Sequence, residues 1–176
     1  NEFANFLEKK FYLKNKKILE IGSNDGYLCG LLNKKGANTV GVDASIFMTK
    51  LSKKRKIKSI NLIFNFKKSN KIKKKYKKFD IIVANNVFNH SDQPSDFLKG
   101  VYNLLNKDGI YIFEQPDFAV GAISLKFDQI YHEHVSYFTS KNIKNILKNN
   151  KFKLVDIKQN NYHGGSLRSV AVKKNS

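Results

Sequence analysis

The feature that most constrains this chain is a recurring local order in which a short apolar run meets a turn and then an amphipathic stretch. It is clearest at Lys17-Ile18-Leu19-Glu20-Ile21, which ends in Gly22-Ser23-Asn24-Asp25-Gly26 and passes into Tyr27–Lys35, with Leu28, Leu31 and Leu32 on one helical face. A short apolar run bounded by glycine reads as a buried strand, and strands alternating with helices imply a parallel sheet. The pattern extends along the chain. Phe3–Phe11 reads as a short helix, and Thr39-Val40-Gly41-Val42-Asp43 as the second strand, with Ser45 placed to cap the next helix. Ser59–Ile63 reads as a third strand and Phe79-Asp80-Ile81-Ile82-Val83-Ala84-Asn85 as the fourth. Pro94 suits the first turn of a helix running to about Leu105, and Asp108-Gly109 turns into a strand at Ile110–Glu114. Asp117–Ile130 is predicted helical with irregular segments, and Ser140 is predicted to cap a helix ending near Asn150. The last two strands, Phe152–Ile157 and Leu167–Val172, are joined by a loop holding His163-Gly164-Gly165, so they must be antiparallel.

Composition narrows the function classes. The 176 residues suffice for one domain with a core, and no internal repeat or linker divides them. No apolar run is long enough to span a membrane and no signal peptide opens the chain, so no membrane partner is expected. The single cysteine, Cys29, excludes a disulfide framework and a cysteine-rich zinc site, and a reducing, cytoplasmic setting is the simplest reading. Asn1 in place of Met is read as the mark of a piece of a longer chain. The net charge of +19 is concentrated where no Asp or Glu occurs, between Asp43 and Asp80, in Lys53-Lys54-Arg55-Lys56, Lys67-Lys68, Lys71 and Lys73-Lys74-Lys75-Tyr76-Lys77-Lys78. Such a belt attracts polyanions. It is nearly devoid of Arg and poor in aromatics, so an anionic small molecule is the expected partner and no specific nucleic-acid site is predicted.

The Gly22–Gly26 turn is the candidate cofactor site. In open α/β sheets ligands bind at the carboxyl ends of strands, beside such turns, and glycine lets the backbone approach them closely. With only Gly22 and Gly26 present, it is not the dinucleotide fingerprint. Carboxylates in and around it suit a cofactor carrying ammonium and sulfonium groups, S-adenosylmethionine, better than a pyrophosphate. Asp43, about 20 residues on, can accept from a ribose diol, or can simply cap the next helix. The candidate cofactor contacts are Glu20, Gly22, Ser23, Asn24, Asp25, Gly26 and Asp43, with Asn85 and Asn86 lining the same crevice. Seven strands with a reversed last strand and this turn describe the class I methyltransferase variant of the Rossmann-like α/β fold, with helices on both faces.

All four histidines, His90, His132, His134 and His163, fall just past a strand or helix end, where an active site would lie. Glu20–Gly26, Asn86-Val87-Phe88-Asn89-His90, Tyr131-His132-Glu133-His134-Val135-Ser136-Tyr137-Phe138 and His163-Gly164-Gly165-Ser166-Leu167-Arg168 follow one another in an order that resembles the sugar C-methyltransferases of deoxysugar biosynthesis. Those enzymes methylate C3 of a dTDP-linked 4-keto sugar. The resemblance runs from about Ile18 to Arg168. It implies Tyr131 and His134 as catalytic residues with Glu133 and His90 close by, and His132, His163, Gly164, Ser166 and Arg168 on the side of a nucleotide-sugar substrate. Members of that family also carry an N-terminal zinc-binding domain and a C-terminal domain, neither of which lies within these 176 residues.

The chemistry is consistent with these residue types. Forming a carbon–methyl bond needs a carbanion equivalent, and a proton α to a ketone can be removed by a positioned base while a donor steadies the enolate oxygen. Imidazole titrates in the right range, a carboxylate can orient it, and a phenol can donate or act as base. Which of Tyr131 and His134 is the base stays open. For Tyr131 and His134 to converge, the segment must turn rather than run as a strand. Other readings remain: methylation of another small molecule or of RNA, an inactive cofactor-binding domain, a polar loop packed on the sheet edge, or a metal held by the His-x-His pair. No carboxylate or thiolate pattern completes a metal set, and no metal is expected.

Overall fold

The computed structural model describes residues 2–125, 130–162 and 165–174. Its elements, in chain order, are α1 (Glu2–Lys10), β1 (Lys17–Ile21), α2 (Tyr27–Lys34), β2 (Asn38–Asp43), α3 (Ile46–Lys54), β3 (Ser59–Asn61), α4 (Phe66–Tyr76), β4 (Phe79–Asn85), α5 (Pro94–Leu104), β5 (Leu105–Pro116), α6 (Phe118–Ile123), α7 (Ser140–Asn149), β6 (Phe152–Asn160) and β7 (Ser166–Lys173), with a 3-10 turn at Phe88–His90. The strands form one sheet in the order β3-β2-β1-β4-β5-β7-β6. Strands β1 to β5 run parallel, and β7 is antiparallel to both β5 and β6.

The central strands are the apolar runs. Leu19, Ile21, Ile82 and Phe113 face one side, where Phe97, Leu98 and Val101 of α5 and Ile143 and Leu147 of α7 cover them. Ile18, Ile81, Val83 and Ile112 face the other side, against Phe3, Ala4 and Leu7 of α1 and Leu28 and Leu32 of α2. This is the alternation expected of a sheet covered on both faces. The strand order changes direction between β1 and β4, and the crevice at that switch point is where an open α/β sheet takes its ligand.

Two local expectations are corrected, and one helix had no counterpart in the sequence reading. The belt after Asn65 forms helix α4: Asn65 Oδ1 caps it by accepting from Lys68 N at 2.8 Å, and only Ser69 and Ile72 are buried. Lysine is a good helix former, and Lys73, Lys74 and Lys75 in the last turn complement the helix dipole, so the helix forms with a narrow apolar stripe. Asp108-Gly109 does not open β5. The strand pairs from Leu105, and Asn106–Gly109 form an irregularity before Ile110 pairs with Ile81. Helix α7 is capped by Thr139 rather than Ser140, because Thr139 has the extended backbone a cap needs while Ser140 is already helical.

Candidate functional site

The turn after β1 is suspended from β2. Gly22 N and Ser23 N both donate to Val42 O, at 2.8 and 3.0 Å. Gly22 and Gly26 have φ of 72° and 78°. A Cβ on Gly22 would stand 2.7 Å from Val87 Cγ2, and one on Gly26 2.4 Å from Ser52 Oγ, so backbone conformation and crowding both demand glycine. Asp43 serves two turns at once: Oδ2 accepts from Asn24 N and Oδ1 from Ser45 N, each at 2.8 Å. The capping and cofactor readings of Asp43 are therefore compatible, since each carboxylate oxygen keeps a second lone pair for a hydroxyl. Asp25 pairs with Arg55 at 2.8 Å.

Glu20 and Ser23 are among the cofactor contacts expected from the sequence. Both side chains are buried. Glu20 lies beneath the turn, where Oε2 accepts from the Cys29 thiol at 3.0 Å. Burial, opposed by the Cys29 hydrogen bonds and reinforced by the charges of Asp25 and Asp43, pushes its carboxyl up to about 8. Ser23 is turned onto Gly41, where an added Cβ would stand 2.5 Å from Ser23 Oγ. Glu20 is therefore protonated near neutral pH, and Ser23 supplies shape. Asn85 Oδ1 and Asn86 Oδ1 are buried without a partner among the described residues. Unsatisfied amide acceptors at the end of β4, with the Asp43 carboxylate at the end of β2, fit a ligand that donates hydrogen bonds and carries positive charge. S-Adenosylmethionine meets that description through its ammonium, sulfonium and ribose hydroxyls, whereas a pyrophosphate does not.

The second half of the site is an irregular loop. Tyr131 to His134 forms a turn closed by His134 N donating to Tyr131 O at 2.9 Å, so the segment is not a strand. The turn brings Tyr131 OH within 2.8 Å of His134 Nε2, with ring centroids 4.1 Å apart. The His90 ring lies across the other side of His134, centroids 5.1 Å apart and nearly perpendicular. His90 Nδ1 is 2.7 Å from the Glu133 carbonyl oxygen. A carbonyl can only accept, so Nδ1 carries the proton and Nε2 points elsewhere. The Glu133 backbone thus holds His90. Ser136 N donates to Asn89 O and Ser136 Oγ to Ser91 O, both at 3.0 Å, which stitches the loop to the segment after β4. Phe138 anchors its end by stacking on Phe88 at 4.9 Å.

A cavity of about 680 Å³ opens at the ends of β4, β5 and β7, lined by Asn85, Asn86, Glu114, Asn160, Tyr162 and Arg168 among others. Arg168 Nε donates to the Glu114 carboxylate, which also accepts from Asn160 Nδ2 at 3.0 Å. The Arg168 guanidinium lies 4.3 Å and 5.0 Å from the ring centroids of Phe6 and Phe3 in α1. Glu114 and Asn160 have no place in the sequence reading. The available signal for Glu114 was its position at the carboxyl end of a central strand. Ser166 is buried and its Oγ donates to Tyr162 O. His132 is exposed, in ring contact with Tyr131 only at 6.2 Å. His163 and Gly164 lie outside the described residues.

Comparison with known proteins agrees with this geometry. The C-methyltransferase NovU of Streptomyces niveus is 27% identical over 150 residues, which are 85% of this chain and 36% of NovU. A ubiquinone biosynthesis O-methyltransferase of Pelagibacter ubique is 37% identical over 103 residues, 56% of this chain and 41% of that protein. The chain thus spans well under half the length of these relatives. Among solved structures, a putative methyltransferase of Bacillus halodurans superposes with a TM-score of 0.77 at 13% identity, covering 99% of this chain and all of that one. The magnesium protoporphyrin IX methyltransferase of Synechocystis, solved with bound S-adenosylhomocysteine, gives 0.75 at 16% identity over 98% and 81% of the two chains. These likenesses establish the class I fold. The family model described as a methyltransferase domain matches residues 2–157, and the chain belongs to that family as an S-adenosylmethionine-dependent methyltransferase domain.

Proposed function

We propose that this domain methylates a carbon α to the ketone of a nucleotide-linked keto-sugar. The observation that carries the reading is the Tyr131 OH–His134 Nε2 hydrogen bond of 2.8 Å, with His90 against the same imidazole. A phenol–imidazole couple can take a proton from carbon and share it between oxygen and nitrogen. That is the chemistry carbon methylation needs, and methylation of a hydroxyl needs only its last, easier part. Bound S-adenosylmethionine supplies the electrophilic methyl. The chain's own residues do the rest. Tyr131 and His134 hold the abstracted proton, and His90, held through Nδ1, leaves Nε2 to contact the sugar. The Glu114–Arg168 pair with Asn160 presents hydrogen-bonding groups suited to sugar hydroxyls. The 27% identity to a C-methyltransferase and the order of the Tyr-His-Glu-His and Gly-Ser-Leu-Arg segments support it.

The test is hydrogen exchange. With S-adenosylhomocysteine bound and a dTDP-linked 4-keto sugar in deuterated water, the substrate α-hydrogen should exchange. Tyr131→Phe and His134→Asn should slow exchange and methylation together by roughly 100-fold or more, with S-adenosylhomocysteine affinity unchanged. Wild-type rates in both variants would sink the assignment. Methyl transfer to oxygen is the second reading, favoured by the 37% identity to an O-methyltransferase over 103 residues of the chain. It predicts a methyl ether product and no exchange at carbon.

A further inference from the structure

Asn89 is a buried amide with an unusual position. It is 3% exposed, on the 3-10 turn between Phe88, which is locked in the core, and His90. Among the described residues neither its Oδ1 nor its Nδ2 has a hydrogen-bond partner. Its backbone is not idle, because Asn89 O accepts from Ser136 N at 3.0 Å. The residue is therefore tied down through its backbone while its side-chain polar atoms go unused. Asn89 lines a cavity of about 10 Å³ together with Pro116, Phe118, His134, Ser136 and Tyr137. That volume holds a single oxygen atom. A buried amide with both ends unpaired is costly and persists in native proteins where a ligand or a water completes it. Here the completing atom would sit against His134, beside the couple that handles the proton.

We propose that Asn89 is a catalytic residue whose side-chain amide donates to the ketone oxygen of the acceptor, seated in the oxygen-sized cavity that Asn89 shares with His134. This deepens the keto-sugar reading and rests on it. The step balances without a further reactant. The C–H bond α to the ketone breaks and its proton passes to the Tyr131–His134 couple. Its electron pair forms the enolate double bond, and the carbonyl π pair moves onto oxygen. The charge thus appears on the oxygen to which the Asn89 amide would donate. A donor already oriented by the Ser136–Asn89 stitch needs no reorganisation when that charge develops, which is where such a donor gains most.

The experiment uses the full-length protein with S-adenosylhomocysteine and a dTDP-linked 4-keto sugar in deuterated water, read by NMR. Asn89→Leu keeps the volume and removes the donor, and Asn89→Ala is read beside it in case the branched side chain does not fit. Both should lose exchange by roughly 100-fold, as removal of one oxyanion donor does. The melting temperature should not fall in Asn89→Leu, because an unpaired amide contributes nothing to the fold. Asn89→Asp should lose at least as much, since a carboxylate repels the enolate. Gln115 is a second buried amide with both ends unpartnered, and it does not line this cavity. Gln115→Met should leave exchange intact. Wild-type exchange in folded Asn89→Leu or Asn89→Ala, or an equal loss in Gln115→Met, overturns the assignment of Asn89 while leaving the keto-sugar reading standing. No exchange in the wild-type chain overturns the keto-sugar reading itself, and this inference with it.

Discussion

The Gly22–Gly26 turn hangs from two buried strands, and its backbone donors are spent on β2 before any ligand arrives. The Tyr131–Phe138 loop has little regular structure, exposes most of its residues, and is held by a few hydrogen bonds to Asn89, His90 and Ser91 and by one aromatic stack. One half of the site is made by the fold and the other is laid over it. The difference teaches how a common scaffold carries varied chemistry: the cofactor half inherits rigidity from the core, whereas the acceptor half can change without cost to the sheet. The comparison predicts that damage to the turn appears as lost stability or cofactor affinity, and damage to the loop as lost chemistry alone.

The largest effect is expected at Glu20. Its folded-state value of about 8 lies above the 4.5 of a free glutamate, so the folded domain holds this proton where the unfolded chain has released it. Stability should therefore fall as pH rises from about 4.5 to about 8 and level off above, by up to roughly 4 kcal/mol. Glu20→Gln removes that slope. The variant should match wild type near pH 4 and exceed it increasingly towards pH 8, in denaturant midpoints measured across that range. Parallel curves would show that Glu20 has already ionised in the fold and would overturn the picture of a buried, protonated carboxyl beneath the turn.

Next is Gly26→Val, which combines a left-handed backbone conformation with a side chain driven onto Ser52. It should cost roughly 3 kcal/mol and abolish calorimetric binding of S-adenosylhomocysteine. Retained binding would mean that the turn adapts and the comparison is overdrawn. Asp43→Ala should act more gently, weakening S-adenosylhomocysteine about tenfold through the lost ribose contact and the freed Asn24 N–H. Unchanged affinity would leave Asp43 with its structural role alone. The smallest effect is the one that sharpens the contrast most. Tyr131→Phe removes a bond between partly exposed groups and should change stability by less than about 0.5 kcal/mol, while abolishing the exchange described above. A larger loss of stability would mean that the loop is part of the folding core after all.

Much of the fold was legible because it rests on local rules. The runs at Lys17–Ile21 and Phe79–Asn85 were readable as strands to the residue, since each is a compact apolar segment with a turn after it. Helix α4 was missed for the opposite reason. Two buried residues among lysines give no visible apolar face, and only packing against α5 and the Asn65 cap reveal the helix. In the site, Gly22, Gly26 and Asp43 stood out by spacing, but the burial of Glu20 against Cys29, nine residues away on the next helix, was decided by packing. Asn160 was not legible, and Glu114 and Asn89 were visible only as a strand end and a motif member, because nothing local marks an amide or a carboxylate as lining a cavity.

By itself, then, the sequence determined the order of strands and helices, the glycine turn, and the presence of a tyrosine and histidines past the strand ends. These follow from side-chain periodicity and backbone conformational preference, which act over a few residues. The tertiary structure alone decided that His90 lies against His134 across 43 residues of chain, that the Glu133 carbonyl orients His90, and that Arg168 of β7 is held between Glu114 of β5 and the aromatic rings of α1. Such contacts depend on which strands become neighbours and how loops cross the sheet. That is settled by burying the whole core at once, a cooperative choice that no short stretch of sequence contains.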